Sequence, residues 1–151
     1  MRDVIIVGAG PAGLFAARTL SKAGLSVLVL DMGKDIEERH CPATERGKCI
    51  RCQPCNVMCG VGGAGGMSSG TLNLSPFVGG DLSRIAGGEK RAWELVREVD
   101  EILLEHGAPR EVKGVEAKVE WLVRRAKSAG ITFIPVRQRH LGSELLPKIF
   151  G

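Results

Sequence analysis

The sequence predicts an α/β fold that begins with two parallel β-strands joined by a helix. Two short apolar runs, residues 4–7 and 27–30, have the length and composition of strands, and the second is predicted to be buried on both faces of a parallel sheet. A glycine-rich turn follows the first run, and an apolar, helix-compatible segment from Ala12 to about Lys22 separates the two runs. Gly24 is placed to end this helix. A strand, a helix and a second strand in this order form a βαβ unit, whose strands lie parallel.

The turn after the first strand has the glycine spacing of a Rossmann-like dinucleotide-binding site, with glycines at positions 8, 10 and 13. In such a turn the first glycine permits the tight bend, the second lets the backbone approach a pyrophosphate, and the third lets the helix pack on the strand. Proline suits the first helical position, and the free N–H groups of the helix face the phosphates. The predicted cofactor-binding residues of the turn are Gly8, Gly10, Pro11, Ala12 and Gly13. The alternative is a glycine turn without a ligand.

Asp31 follows the second apolar run and lies eighteen residues beyond Gly13. An acid at this position accepts hydrogen bonds from an adenosine ribose and repels the ribose phosphate of NADP. We therefore add Asp31 to the predicted site. The motif begins at residue 4 and contains Pro11, which favours the amino-terminal FAD site of a flavoprotein over an NAD domain.

The composition of the chain argues against nucleic-acid partners, membrane partners and structural disulfides. The 151 residues amount to one domain, and the net charge of +4 is spread among acidic residues rather than gathered in blocks. We therefore expect no nucleic-acid partner. The sequence has no apolar run long enough to span a membrane and no signal peptide, so we expect no membrane partner and a cytoplasmic location. In the cytoplasm, five cysteines are a poor fit to structural disulfides.

Residues 32–87 show no sustained helical or strand periodicity, but they hold all five cysteines. Ten of the 21 glycines fall between Gly60 and Gly88, which predicts positive φ values or a close approach of the backbone to something large, such as a cofactor. We count Gly63 and Gly65 among the predicted cofactor contacts. A flexible linker is the alternative.

The cysteines match the C-x2-C-x2-C-x3-C spacing of bacterial ferredoxins, except that Gly60 replaces the usual proline. Five cysteines cannot ligate two four-iron clusters, so one [4Fe-4S] cluster is the most that they can hold. Zinc is an alternative, with His40 as a nearby ligand. A redox disulfide beside the flavin is another. The candidate metal ligands are Cys41, Cys49, Cys52, Cys55 and Cys59.

The remaining sequence is mainly helical by its periodicity. Apolar spacing predicts helices from Glu89 to His106 and from about Val115 to Ala129, and then a short strand from Ile131 to Val136. Ser143 is the predicted N-cap of a last helix. His140 follows the predicted strand among arginines, and we assign it a structural or solvated role.

Four segments together resemble a poorly characterised family of FAD-dependent dehydrogenases: the Rossmann-like turn, residues 31–39, residues 62–70 and residues 138–142. The resemblance implies a fold similar to glutathione reductase and geranylgeranyl reductase, with an FAD domain interrupted by a second domain and about three times this length. The sequence departs from the family at Ser69 and Thr71, where relatives tend to have aspartate and lysine. No role of that acid or that lysine is carried over.

The resemblance implies an incomplete Rossmann-like FAD/NAD(P)-binding domain in four parts. These are an FAD-binding half (1–31), a cysteine- and glycine-rich loop (32–87), a largely helical insertion (88–142) and the start of a returning helix (143–151). The function expected is the amino-terminal part of an FAD-dependent oxidoreductase that exchanges electrons with a cysteine-bound centre. Its expected partners are a carboxy-terminal half or a second copy, and a small-molecule or protein redox partner. A non-enzymatic metal-binding or electron-carrier module and an inactive truncated chain are the alternatives.

Overall fold

A computed structural model describes all residues, 1–151, and divides the chain into two compact units. The first unit contains Met1–Gly70 and Gly142–Gly151, and the second contains Thr71–Leu141. The second unit is therefore an insertion in the sequence of the first. The four-part division expected from the sequence stays a prediction. No helix of the chain combines the length and the apolar character needed to cross a bilayer.

The first unit contains the predicted βαβ element. Strand β1 (Val4–Val7) leads into helix α1 (Pro11–Lys22), and strand β2 (Val27–Leu30) follows. The strands are parallel, with Val4 opposite Val27 and Val7 opposite Leu30. This confirms the coarse α/β prediction for the start of the chain.

The second strand is not buried on both faces as predicted, because Leu30 is 48% exposed. Exposure alternates along β1, so Ile5 is 59% exposed and Val7 is 85% exposed. A Cβ built at Gly13 of α1 would contact the side chain of Ile6 at 3.4 Å, so the helix covers the face that carries Ile6. The opposite face of this two-stranded sheet has no covering layer and presents apolar side chains to solvent.

The cysteine- and glycine-rich segment contains more regular structure than its sequence predicts. It forms a 3₁₀ turn (Ile36–Glu38), helix α2 (Ala43–Arg46) and helix α3 (Gly63–Gly66). Each is too short to leave a periodic apolar pattern. Helix α7 (Leu146–Phe150) returns from the end of the chain and packs against α3 and the 3₁₀ turn. Its N-cap is Leu145 rather than the predicted Ser143.

The second unit combines a small antiparallel sheet with three helices. Strand β3 (Thr71–Asn73) pairs with strand β4 (Gln138–His140). The helices are α4 (Leu82–Ala86), α5 (Glu89–Glu105) and α6 (Ala117–Ser128). The two long helices match the predicted ones to within two residues at each end.

The predicted strand from Ile131 to Val136 is wrong, because these residues are irregular and the strand lies at Gln138–His140 instead. Arg139 explains why the strand lies at Gln138–His140. Its guanidinium is buried and binds both carboxylate oxygens of Asp100, with 2.9 Å between Nη2 and Oδ2. This pairing draws the arginine inward and fixes the register of β4, whereas the apolar residues before it stay exposed.

Candidate functional site

The turn between β1 and α1 has the tight geometry that its glycines predict. Gly8 has a φ of +105°, in the region that favours glycine. A Cβ at Gly13 would overlap the carbonyl oxygen of Gly8, so any side chain there would force the helix away from the strand. The N–H of Gly8 donates to the carbonyl of Leu30 at 2.7 Å, which extends the pairing of the two strands into the turn.

The first turn of α1 offers unpaired hydrogen-bond donors. Gly10 is the N-cap residue and provides no side-chain acceptor, and Pro11 occupies the first helical position. The N–H groups of Ala12 and Gly13 fall among those that a helix leaves without an intrahelical partner. They stand at the positive end of a twelve-residue helix. Unpaired donors and a positive helix end together suit a phosphate anion.

A second glycine loop lies directly against this turn. The N–H of Gly62 donates to the carbonyl of Ala9 at 2.8 Å. A Cβ at Gly63 would come within 2.9 Å of the Cα of Gly10, and one at Gly65 within 3.0 Å of the Pro11 ring. The sequence predicted that the backbone of this loop comes close to a large neighbour. In the structure that neighbour is the turn between β1 and α1. Gly63 and Gly65 thus lie beside the predicted site, while their contact with a cofactor stays a prediction.

Asp31 joins three loops through its carboxylate. Oδ2 accepts a hydrogen bond from the N–H of Ala9 at 2.8 Å. Oδ1 accepts from Gly33 at 2.8 Å and from Gly60 at 2.7 Å. These N–H groups, that of Ala9 first, lower the pKa of Asp31 below its usual value. A carboxylate has about four acceptor positions, so about one is left for a ribose hydroxyl, and the predicted ribose contact stays a prediction.

Arg39 is a functional residue that sequence reasoning did not single out. Its side chain is buried and donates to three backbone carbonyls: Asn56 at 2.9 Å, Val57 at 2.7 Å and Val61 at 2.5 Å. The guanidinium therefore holds the segment that runs from the cysteines into the second glycine loop. A signal was present, because Arg39 ends one of the segments that carry the family resemblance.

The cysteines are not arranged as a metal site. All five are free thiols, and no group of three or more His, Cys, Asp or Glu side chains has a geometry that could hold a metal ion. His40, the alternative zinc ligand, lies 3.1 Å from Glu45 on the exposed surface. The geometry therefore gives no support to an iron–sulfur cluster or to zinc. The residues concerned are Cys41, Cys49, Cys52, Cys55 and Cys59.

The pKa of the Cys55 thiol is lowered, mainly by the backbone N–H groups of Met58 and Val57, with smaller contributions from Cys52 and from the charge of Arg39.

His140 belongs to the second unit. It is exposed on β4, where its Nε2 lies 3.3 Å from the hydroxyl of Thr71. Its position agrees with the structural or solvated role expected from the sequence.

Parts of the chain are similar to known proteins. Residues 6–36 match the family described as "NAD(P)-binding Rossmann-like domain". The chain is 41% identical over 69 residues to an uncharacterized protein of Clostridium beijerinckii, which is 45% of this chain and 13% of that protein. It is 70% identical over 30 residues to putrescine oxidase of Kocuria rosea (20% of this chain, 6% of the oxidase). It is 56% identical over 36 residues to digeranylgeranylglycerophospholipid reductase 1 of Methanococcoides burtonii (24% and 9%).

The matched stretches therefore span about an eighth or less of the lengths of these relatives. The family match begins within β1, covers α1 and β2 and ends at the first residue of the 3₁₀ turn, and it includes the turn glycines, the start of α1 and Asp31. Sequence similarity and geometry thus agree that the chain begins with a Rossmann-like dinucleotide-binding element.

Proposed function

We propose that this chain supplies the FAD-binding amino-terminal part of an oxidoreductase. The observation that carries the proposal is the start of α1, where N–H groups without a side-chain cap follow a glycine turn at the end of a parallel strand. In open parallel sheets, ligands bind outside the carboxyl ends of the strands. A pyrophosphate at this position would meet the N–H groups of Ala12 and Gly13 and the positive end of the helix.

Two observations support redox chemistry and FAD. The relatives that parts of the chain match include an oxidase and a reductase. The ionised carboxylate of Asp31 disfavours the additional phosphate of NADP, and the motif with Pro11 inside it resembles the FAD site of flavoproteins. FAD supplies the electron transfer when it is bound, and the protein supplies binding and orientation.

Different residues of the chain contribute to binding and orienting FAD. Gly8, Gly10 and Gly13 keep side chains out of the space that a pyrophosphate needs. Asp31 holds the turn and the second glycine loop in one arrangement, and Arg39 holds that loop from its other side. The remainder of the FAD site comes from a carboxy-terminal portion or a second copy, and the substrate is a small molecule or a redox protein. A cysteine-bound cluster is not part of the proposal, because the thiols do not converge.

The experiment compares FAD with NAD⁺ on ¹⁵N-labelled protein by following the amide signals of residues 8–14 and 31–33. FAD should shift these signals in a saturable way, and NAD⁺ should shift them less at the same concentration. Gly10→Ala is the test variant. Gly10 has a φ of −70°, and its Cβ would meet only the Cα of Gly63 at 3.9 Å, so the fold tolerates the methyl group that a pyrophosphate does not.

We expect Gly10→Ala to weaken FAD binding at least about tenfold, equivalent to about 1.4 kcal/mol, without changing the thermal transition. Lys22→Ala, at the opposite end of α1, is the matched control and should bind FAD like the natural chain. Tighter binding of NAD⁺ than of FAD, or equal FAD binding by both variants, would contradict the proposal.

A further inference from the structure

We propose that a cavity of about 530 Å³ in the second unit binds a small organic acid that combines a carboxylate with an apolar ring. Pockets for small molecules have volumes of about 300–1,000 Å³, so the size is suitable. The site is independent of the proposed flavin function, because all of its residues lie within Thr71–Leu141. The residues that line the cavity are Leu74, Trp93, Val96, Arg97, Asp100 and Arg137.

One wall of the cavity is a single face of helix α5. The residues on this wall are Trp93, Val96, Arg97 and Asp100. They follow one another at helical spacing, so their side chains project from the same side of the helix. The other wall consists of Leu74, which follows β3, and Arg137, which precedes β4. The N–H of Leu74 donates to the carbonyl of Arg137 at 2.8 Å, which keeps these two residues side by side.

The charges in the lining favour an anionic ligand. Asp100 is the only acid there, and both of its carboxylate oxygens already bind Arg139. The structure gives the side chains of Arg97 and Arg137 no hydrogen bond and no ion pair within the chain. A guanidinium binds a carboxylate through two parallel N–H···O bonds. An organic acid in the cavity would therefore meet two arginines whose donors are unused.

The apolar part of the lining suits a flat ring. The indole of Trp93 is 37% exposed, and it packs on Phe77 with 6.2 Å between the ring centroids and an angle of 79° between the planes. This contact restrains the indole, and Leu74 and Val96 lie beside it in the lining. Exposed ion pairs contribute little by themselves. We therefore expect binding to need the ring as well as the charge.

The position of the cavity on α5 favours a carboxylate over a phosphate. Phosphate sites at helices commonly use the unpaired backbone N–H groups of the first turn, as proposed above for α1. Trp93 is the fifth residue of α5, and from that position onward the N–H groups bond within the helix. The N–H of Leu74 is occupied by Arg137. Helix α5 thus contributes side-chain donors alone, in the planar form that matches a carboxylate.

The test titrates the ¹⁵N-labelled 151-residue chain and follows the amide signals of residues 93–100 and the indole N–H of Trp93. Phenylacetate carries the ring and the charge, phenylacetamide carries the ring alone, and acetate carries the charge alone. Phenylacetate should shift these signals in a saturable way, and phenylacetamide and acetate should each bind at least about tenfold more weakly. Phenyl phosphate should bind no more tightly than phenylacetate.

Variants of the two arginines assign the binding to this cavity. Arg97→Gln and Arg137→Gln should each weaken phenylacetate binding at least about tenfold. Both should keep the amide spectrum of the rest of the chain, because neither side chain has a partner in the fold. Arg124→Gln removes an exposed charge of α6 outside the cavity and is the matched control, with unchanged binding.

The proposal is overturned if phenylacetate causes no saturable shift, or if phenylacetamide binds as tightly as phenylacetate. Tighter binding of phenyl phosphate would contradict the assignment to carboxylates. Unchanged affinity for phenylacetate in both Arg97→Gln and Arg137→Gln would show that the acid binds elsewhere on the chain.

Discussion

At the scale of single residues, the carboxylate of Asp31 connects three segments near the turn through hydrogen bonds. Its carboxylate accepts hydrogen bonds from the N–H groups of Ala9, Gly33 and Gly60. These residues belong to the turn between β1 and α1, the segment after β2 and the second glycine loop. Hydrogen bonds to an ionised acceptor are stronger than those between neutral groups. The residue expected to bind the ribose therefore also holds together the loops that would surround the cofactor.

This arrangement predicts a specific pH dependence of stability. The pKa of Asp31 is lowered in the fold, chiefly by the N–H of Ala9, so its contribution is complete above the ordinary carboxyl value of 3.8. That contribution is lost as the pH falls from this value through the lowered pKa. Asp31→Asn should reduce the urea midpoint at pH 7 and flatten its decline below about pH 4.

The midpoint is measured by circular dichroism at several pH values. Asp3→Asn is the control, because Asp3 accepts a single N–H group, from Ser26, on the exposed surface. Parallel pH profiles for the natural chain and Asp31→Asn would show that Asp31 does not contribute in this way.

At the scale of elements, strand β4 depends on one buried ion pair. The side chains of Arg139 and Asp100 are 5% and 17% exposed, and Arg139 also donates to the carbonyl of Pro109 at 2.6 Å. Asp100 helps to raise the pKa of Arg139, and the arginine stays charged at any pH at which the chain is folded. The pair thus joins β4 to helix α5.

We expect Arg139→Met to lower the free energy of unfolding by about 3–5 kcal/mol, because it leaves a largely buried carboxylate without its partner. The double variant Arg139→Met/Asp100→Leu should recover part of this loss, since neither charge remains. Urea denaturation followed by circular dichroism measures both. Arg91→Met removes an exposed pair with Glu94 and serves as the control with little effect. A single variant as stable as the natural chain would refute the role of the pair.

At the scale of the whole molecule, the uncovered face of the first sheet presents several large apolar side chains to solvent. Ile5, Val7 and Leu30 are exposed there by 59%, 85% and 48%, and each strand of a two-stranded sheet has an edge without a partner. Side chains of this size gain about 1.5–3 kcal/mol each when they are buried. The surface therefore favours association with another chain or with a further part of the same protein.

We predict that the 151-residue chain self-associates through this face. Its mass by light scattering should rise above that of a monomer as the concentration increases. Val7→Lys should shift the association at least tenfold toward higher concentration, because it places a charge in the apolar surface. Val115→Lys, at an exposed valine of the second unit, is the matched control. A natural chain that stays monomeric at all concentrations contradicts this prediction.

The parts of the fold predicted from the sequence depend on local patterns. The glycines of the turn, Pro11 and the two apolar runs specify the βαβ element within residues 4–30. The long helices of the second unit follow from apolar spacing in the same way. Contacts between residues that are distant in sequence produce no local pattern, so the sequence did not predict them. Asp31 and Gly60 are 29 positions apart, and Arg139 and Asp100 are 39 apart.

The candidate site, too, could be predicted from the sequence only where local patterns specify it. The spacing of the cysteines predicts a ligand cluster, but spacing describes distance along the chain and does not bring thiols together. All five thiols are free in the structure, and Arg39, which binds the carbonyls of Asn56 and Val57, lies outside the cysteine pattern itself. The predicted contacts of the glycines with FAD remain predictions that the binding experiment addresses.

The pairing of β3 with β4 has a consequence for how such a protein can vary in the course of evolution. Thr71 and His140 lie opposite each other at the two ends of the second unit, so the Cα atoms that begin and end the insertion are only about 5 Å apart. A segment whose ends meet can be lengthened, exchanged or lost without separating the residues on either side of it. We therefore expect the stretch between Gly70 and Gly142 to be the place where whole modules are gained or lost while the dinucleotide turn is retained.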